Sequence, residues 1–285
     1  MESYRYVIAD VFSDRPLAGN QLAVFTNAQP IAEHLLQQLA KEIGFSETVF
    51  CYPSAGEGHA RIRIFTPESE VPFAGHPTLG TAFVLGGPLQ LGLIRLETGS
   101  GVVEVELERG ASGRIVFGRM GQPIPRIEPF EQAPKLLAVL GLERSELPVE
   151  LYDNGIRHVF VALASEARVA ALAPEQRALK AFGEIGVNCF AGSGKSWKTR
   201  CFVPGLGIGE DPATGSAAGP LALHLARHGA ISFGEEIEIR QGEELGRPST
   251  LHASARGSAE TIERIEVGGA AVIVARGEFG LPSST

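Results

Sequence analysis

The chain has 285 residues, 44% hydrophobic and 20% charged, enough to bury a sizeable core and to form two ordinary domains. Its formal net charge is -8, and its 25 Lys and Arg are scattered without a basic stripe, which argues against a nucleic-acid or membrane surface. No stretch approaches the roughly 18 consecutive apolar residues of a spanning helix, and Met1 to Tyr6 carry no charged segment leading into an apolar run, so the expected location is the cytoplasm.

Tyr6 to Phe12 reads as an opening strand, Pro16, Gly19 and Asn20 as a turn, and Leu22 to Phe25 as the partner strand. Ile31, Leu35, Leu36, Leu39, Ala40 and Ile43 recur at helical spacing, which predicts a helix with one buried face, ended by Gly44. Ser46 to Phe50 follows, then a Gly-rich turn at 54–58, then Ala60 to Phe65 alternating polar and apolar as a half-buried strand. His76 to Leu85 is small or apolar on every side, with Pro77 in a first helical turn, and predicts a helix buried all round.

Short strands with turns at Gly99, Gly101, Gly110 and Gly113 are expected from Gly92 to Gly118, and Gln122 to Pro125 reads as a crossover. Beyond it lie a helix at 133–140, a strand at 159–163, a helix at 174–182, a strand at 200–203 and a small-residue helix at 216–228. The tail from Ile265 to Ala275 is strand-like and could return to the first half. Cys51, Cys189 and Cys201 cannot all pair and lack CxxC spacing, which predicts buried free thiols.

Two stretches repeat. Phe73 to Gly80 returns in altered form as Pro212 to Gly219, with an Ala six positions before a Gly in both copies, Ala74 to Gly80 and Ala213 to Gly219. Each copy follows an Arg-x-Phe-x-Pro signature, Arg63 to Pro67 and Arg200 to Pro204. The pattern predicts two related halves, each contributing one helix start to a shared site.

A helix start exposes unpaired N–H groups and partial positive charge, which suits a carboxylate or another anion. Gly75 and Gly215 would let a ligand approach the backbone and Ser216 would add a hydroxyl, although small residues also simply let buried helices pack. Glu47 sits in the apolar stretch Phe45 to Phe50, where burial favours a carboxyl able to take and return a proton; a surface or capping carboxylate is the competing reading. His76, in a first helical turn, is a candidate donor or acid, or a satisfied core histidine. Asp211 is equally consistent with capping the second helix and with substrate contact.

Three apparent motifs fail on inspection. Gly194-Lys195-Ser196 has Cys189 where a phosphate loop needs Gly. His224 and His228 stand one helical turn apart with no obvious third ligand, which disfavours zinc. Gly205-x-Gly-x-Gly lacks the dinucleotide context.

Taken together, the sequence resembles the PhzF family of the diaminopimelate epimerase-like superfamily over nearly its whole length. The resemblance rests on Gly19-Asn20, Phe45-Ser46-Glu47-Thr48, Arg63 to Pro67, Pro72 to Pro77 and Glu210 to Pro220, and more specifically on Asn154 to Val161, Asn188 to Gly192 with Trp197, and Pro220 to Gly229. It implies an α+β fold of two pseudo-symmetric domains, 1–118 with 268–285 and 119–267, each a barrel-like mixed sheet around a central helix. The site would lie in the cleft between them, and the usual assembly would be a homodimer.

The resemblance also implies cofactor-free, metal-free isomerisation of trans-2,3-dihydro-3-hydroxyanthranilate, a small cyclic amino acid. Glu47 matches the acid/base residue that takes a proton from C3 and gives one to C1, and His76 and Asp211 match residues that assist and hold the substrate. Asn20, Ser46, Gly75, Gly215 and Ser216 are the remaining expected binding residues. One departure is Gln21, where the family usually has Pro. Racemases of the superfamily use two cysteines at the paired helix starts; none stands there, which disfavours two-thiol chemistry. The alternatives are a related isomerase or epimerase acting on another small amino acid, and a non-catalytic small-molecule binder.

Overall fold

The computed structural model describes residues 2–281. The chain folds into two compact units, one built from residues up to Gly121 with those from Gly268, the other from Gln122–Val267.

In the first unit β1 (Glu2–Val11) and β2 (Asn20–Phe25) precede α1 (Glu33–Ile43), followed by β3 (Glu47–Tyr52), β4 (Ala60–Phe65) and the short β5 (Glu70–Val71). Helix α2 (Gly75–Leu89) comes next, then β6 (Leu93–Thr98), β7 (Gly101–Arg109) and β8 (Ile115–Gln122). The second unit runs β9 (Arg126–Pro129), α3 (Ala133–Val139), β10 (Glu150–Asp153), β11 (Arg157–Ala162), α4 (Glu166–Ala170) and α5 (Gln176–Lys180). It continues through β12 (Ile185–Ser193), β13 (Ser196–Phe202), β14 (Glu210–Asp211), α6 (Gly215–Arg227), β15 (Glu236–Gln241), β16 (Ser249–Gly257) and β17 (Ile262–Gly269), before β18 (Ala271–Leu281).

The strand pairings repeat between the units. β1 and β2 pair antiparallel, β2 and β3 parallel, β3 and β4 antiparallel, β4 and β5 antiparallel, β4 and β6 parallel, β6 and β7 antiparallel. The same six relations join β10 to β11, β11 to β12, β12 to β13, β13 to β14, β13 to β15 and β15 to β16. Mixed sheets of this kind with a helix in each parallel crossover make the fold α+β.

Each repeat wraps a helix made of small residues. In α2 every residue from Gly75 to Val84 is buried, and the helix touches β1, β2, β3, β6, β7 and β18. That environment explains its lack of a polar face. A Cβ at Gly80 would lie 2.6 Å from both Leu22 Cδ2 and Val11 Cγ2, so only glycine allows the helix this close to β1 and β2. Helix α6 is buried from Gly215 to Ala226 and touches β11, β15 and β16. Helix α1, by contrast, buries one face: Leu36, Leu39 and Ala40 pack with Phe25, Phe50 and Phe65, each large side chain contributing about 1.5–3 kcal/mol on burial. Gly44 ends it with φ 68°, a left-handed conformation suited to glycine.

Two expectations need correction. The helix expected at 174–182 is only Gln176–Lys180, and an unpredicted short helix, α4, precedes it, started by Ser165, whose hydroxyl accepts from Arg168 N. The single strand expected at 265–275 is two, broken at Ala270, whose carbonyl accepts from Phe12 N at 2.8 Å. The second of them, β18, lies antiparallel to β1 from Glu2 opposite Leu281 to Val11 opposite Ala271. All three cysteines are buried and unpaired, and burial pushes the Cys51 and Cys189 thiols up to about 12. Among the described residues no helix is long and apolar enough to cross a membrane.

Candidate functional site

In the first unit three expected residues meet. Asn20 opens β2, Glu47 opens β3, and His76 is the second residue of α2. Because β2 and β3 are parallel with Leu22 opposite Glu47, the two strand starts lie at one end of the sheet, where the α2 start also arrives. Asn20 Nδ2 is 3.2 Å from His76 Nδ1, and Glu47 Oε2 is 3.5 Å from the same nitrogen. The imidazole is 2% exposed, and burial holds it down to about 3, so it is neutral at physiological pH.

His76 Nδ1 meets both the Asn20 amide nitrogen and the Glu47 carboxyl, and the ring also hydrogen-bonds the backbone of Gln21. Nε2 is buried with no hydrogen-bond partner among the described residues.

The α2 start is preceded by Ala74, which has no side chain able to cap it, and its first turn holds no acidic residue. Gly75 is its first residue. Ser46, immediately before Glu47, is buried.

The matching start in the second unit is more heavily tied. Asp211 Oδ2 accepts from the Thr214 hydroxyl at 2.7 Å. Gln241, at the end of β15, donates to Asp211 O at 2.8 Å and to Thr214 Oγ1 at 2.9 Å, and its own oxygen accepts from Thr214 N at 3.1 Å. One buried amide therefore fixes the loop carrying Asp211 against the helix start. The Gly215 carbonyl accepts from Gln122 Nε2 at 2.8 Å.

Ser216 is engaged rather than open. Its hydroxyl lies 2.9 Å from His158 Nε2, and its carbonyl accepts from Asn154 Nδ2 at 2.9 Å. Asn188 Nδ2 sits 3.3 Å from His158 Nδ1 and 3.1 Å from the Gly186 carbonyl, which orients that amide. His158 Nδ1 therefore accepts, Nε2–H donates to Ser216, and the Ser216 proton must point to another acceptor. Burial keeps His158 neutral too, down to about 3. His158, Asn154 and Asn188 lie in family-specific segments but have no local motif that marks this role, and Gln241 has none.

The repeated Arg-x-Phe-x-Pro signature acquires a physical meaning. Arg63 grips Glu70 through Nε and Nη2 at 2.8 and 2.6 Å, and Arg200 grips Glu210 through Nε and Nη2 at 2.8 and 2.7 Å. Each guanidinium also covers the ring two residues on, Phe65 at 5.2 Å and Phe202 at 5.0 Å. In both units the clasp holds the short strand that feeds the central helix.

The expectation that His224 and His228 lack a third ligand is overturned: Glu150, on β10, brings its carboxylate to both. The pairing is long-range, which is why spacing alone did not reveal it.

The family model for phenazine biosynthesis-like proteins matches residues 9–277. The chain is 49% identical, over 96% of its length and 98% of the relative's, to the trans-2,3-dihydro-3-hydroxyanthranilate isomerase of Pseudomonas aeruginosa. It is 48% identical, over 98% of its length and all of the relative's, to the protein of the same name from Pseudomonas chlororaphis. Among solved structures, a PhzF-family phenazine biosynthesis protein of Bacillus anthracis superposes with a TM-score of 0.83 at 24% identity, covering 99% of this chain and 100% of that one. With a family model spanning almost the whole sequence and near-half identity to such relatives, the chain belongs to the phenazine biosynthesis-like (PhzF) family.

Proposed function

We propose that this protein isomerises trans-2,3-dihydro-3-hydroxyanthranilate in phenazine biosynthesis, with Glu47 moving the proton. The observation that carries the reading is near-full-length identity of 48–49% to proteins of that name, in a chain whose Glu47 carboxyl faces a buried neutral histidine. The reaction conserves atoms: the C3–H bond breaks, its electron pair moves into the ring, and a C1–H bond forms. One carboxyl can serve both ends, as base and then as acid.

His76 supports that cycle as a neutral acceptor. In the tautomer protonated at Nε2, Nδ1 accepts from the Glu47 O–H, and once that proton is delivered the same lone pair disfavours the carboxylate and makes it the stronger base. The uncapped start of α2 offers N–H groups suited to the substrate carboxylate, and Asp211 is proposed as a further substrate-holding residue. Ser46, Asn20, Gly75, Gly215 and Ser216 complete the proposed binding set. The working form is proposed to be a cytoplasmic homodimer, which sedimentation of the purified protein checks.

The test is incubation with the dihydrohydroxyanthranilate, followed by absorbance and mass. Isomerisation is expected, with Glu47→Gln lowering kcat by about 10²–10⁴-fold while ligand affinity changes little. Unchanged substrate with the wild-type protein would move the activity to another small amino acid; full activity in the Gln variant would remove Glu47 from its role.

A further inference from the structure

The second unit gathers four polar side chains around one carboxylate oxygen. Glu150 Oε2 lies 2.8 Å from Arg227 Nη1, 2.9 Å from His228 Nε2, 3.0 Å from the Tyr152 hydroxyl and 3.3 Å from His224 Nδ1. The Tyr152 hydroxyl is also 3.0 Å from His224 Nδ1 and 2.8 Å from Arg227 Nη1. The Tyr152 hydroxyl has one proton for Glu150 or His224, so these contacts cannot all be hydrogen bonds at once, and Glu150 Oε2 and His224 Nδ1 keep lone-pair capacity between them.

His224 sharpens the point. Its ring is 0% exposed and lies among Tyr152, Phe160 and Phe190, and its Nε2 has no hydrogen-bond partner among the described residues. A buried ring nitrogen without a partner carries a desolvation cost, and Nδ1 is the ring atom that faces polar groups.

We propose that Glu150, His224 and His228 form a binding site for one transition-metal dication of the zinc type. Their three ligand atoms lie within 4.8 Å of one another. In a tetrahedron with metal–ligand bonds of about 2.0–2.1 Å, ligands are spaced about 3.3 Å apart. The Glu150–His224 and Glu150–His228 separations, 3.3 and 2.9 Å, are already near that edge. Two imidazoles and one carboxylate are a donor set suited to Zn²⁺, leaving one position for water, with the Tyr152 hydroxyl beside it.

Arg227 is the competitor. Its guanidinium places one positive charge against Glu150 Oε2 and must swing out for a dication to enter. Its side chain is 24% exposed, so it has a route to solvent. Occupancy would then link β10 to the last turn of α6, replacing the arginine's link with a stiffer one.

The test uses untagged, chelator-treated full-length protein, with Co²⁺ as the spectroscopic probe and Zn²⁺ in competition against it. One ion per chain is expected, with the strong visible absorption of tetrahedral cobalt. Glu150→Gln and His228→Gln should each weaken binding at least about tenfold, and Arg227→Gln should tighten it by about tenfold. Circular dichroism melts without metal identify a variant that fails to fold, in which case the other ligand variant carries the comparison. Equal binding by wild type and both ligand variants would mean an ion held elsewhere, and binding seen only in Arg227→Gln would mean that the natural arginine closes the site. Either result overturns the proposal.

Discussion

Asn20 Nδ2 approaches His76 Nδ1 at 3.2 Å, on the same ring nitrogen that the Glu47 carboxyl faces at 3.5 Å. Replacing Asn20 with Leu keeps the volume and removes the donor. The ring is then free to take the other tautomer, whose Nδ1–H would pair with the Glu47 carboxylate and blunt it as a base. We expect kcat to fall by about tenfold or more, with a stability loss of about 1–3 kcal/mol from the lost buried bond. Steady-state kinetics beside a urea melt separate the two effects; an unchanged kcat would detach Asn20 from the proton transfer.

His76 and His158 are both neutral in the folded protein, held by burial down to about 3 against an ordinary value of 6.5. For a base whose folded pKa is depressed, the unfolded chain binds more protons between the two values. Stability from this source is therefore full above pH about 6.5 and is lost as pH falls toward 3. Each histidine should contribute a slope approaching about 1.4 kcal/mol per pH unit below pH about 6.5. Denaturant titrations between pH 7 and 5 should show stability falling with pH, and His158→Gln should flatten that fall whatever its effect on stability at pH 7. A slope identical in both proteins would contradict the assignment.

How far this could be read from residues depends on the range of each interaction. The α1 period and its Gly44 stop are local, and the observed helix begins only two residues inside the expected span. The duplication was visible in the small-residue stretches because close helix packing restricts those positions to Gly and Ala. Glu47, His76 and Asn20 each stood in a motif. Gln241 did not: it is a lone amide at a strand end, and only the fold reveals that it joins Asp211 to Thr214. Glu150 escaped for the same reason, its histidine partners lying far along the chain. The break at Ala270 separates two strands of similar composition, and composition carries no mark of it.

The two Arg–Glu clasps share geometry but not environment, and their energies should differ accordingly. The Arg200 and Glu210 side chains are 9% and 10% exposed, and Arg200 Nη1 also donates to the Ala170 and Leu172 carbonyls at 3.0 and 2.6 Å. Removing that guanidinium leaves a buried carboxylate and two carbonyls without it, so Arg200→Met should cost about 3–5 kcal/mol. Arg63 is partly exposed and its Glu33 partner is 75% exposed, so Arg63→Met should cost about 1 kcal/mol or less. Thermal or urea unfolding of both variants checks the contrast, and equal losses would show that exposure does not govern the clasps.

Gly80 and Gly219 hold matching places in α2 and α6, and both should resist a single added methyl. In a solvent-facing helix, Gly→Ala stabilises by about 1 kcal/mol through propensity. Here a Cβ at Gly80 would press on Leu22 and Val11 at 2.6 Å, both in the core. At Gly219 it would lie 2.2 Å from Gln122 Oε1 and 2.4 Å from Ile265 Cγ2. Overpacking of this kind costs about 1–3 kcal/mol beyond the propensity gain. Gly219→Ala should be the worse of the pair, because displacing Gln122 also strains its 2.8 Å bond to the Gly215 carbonyl, adding about 1 kcal/mol. Urea melts of both alanine variants decide the matter: the expected order is wild type, Gly80→Ala, Gly219→Ala, and a gain in stability at either site would mean that the central helices are not held at the separation these glycines permit.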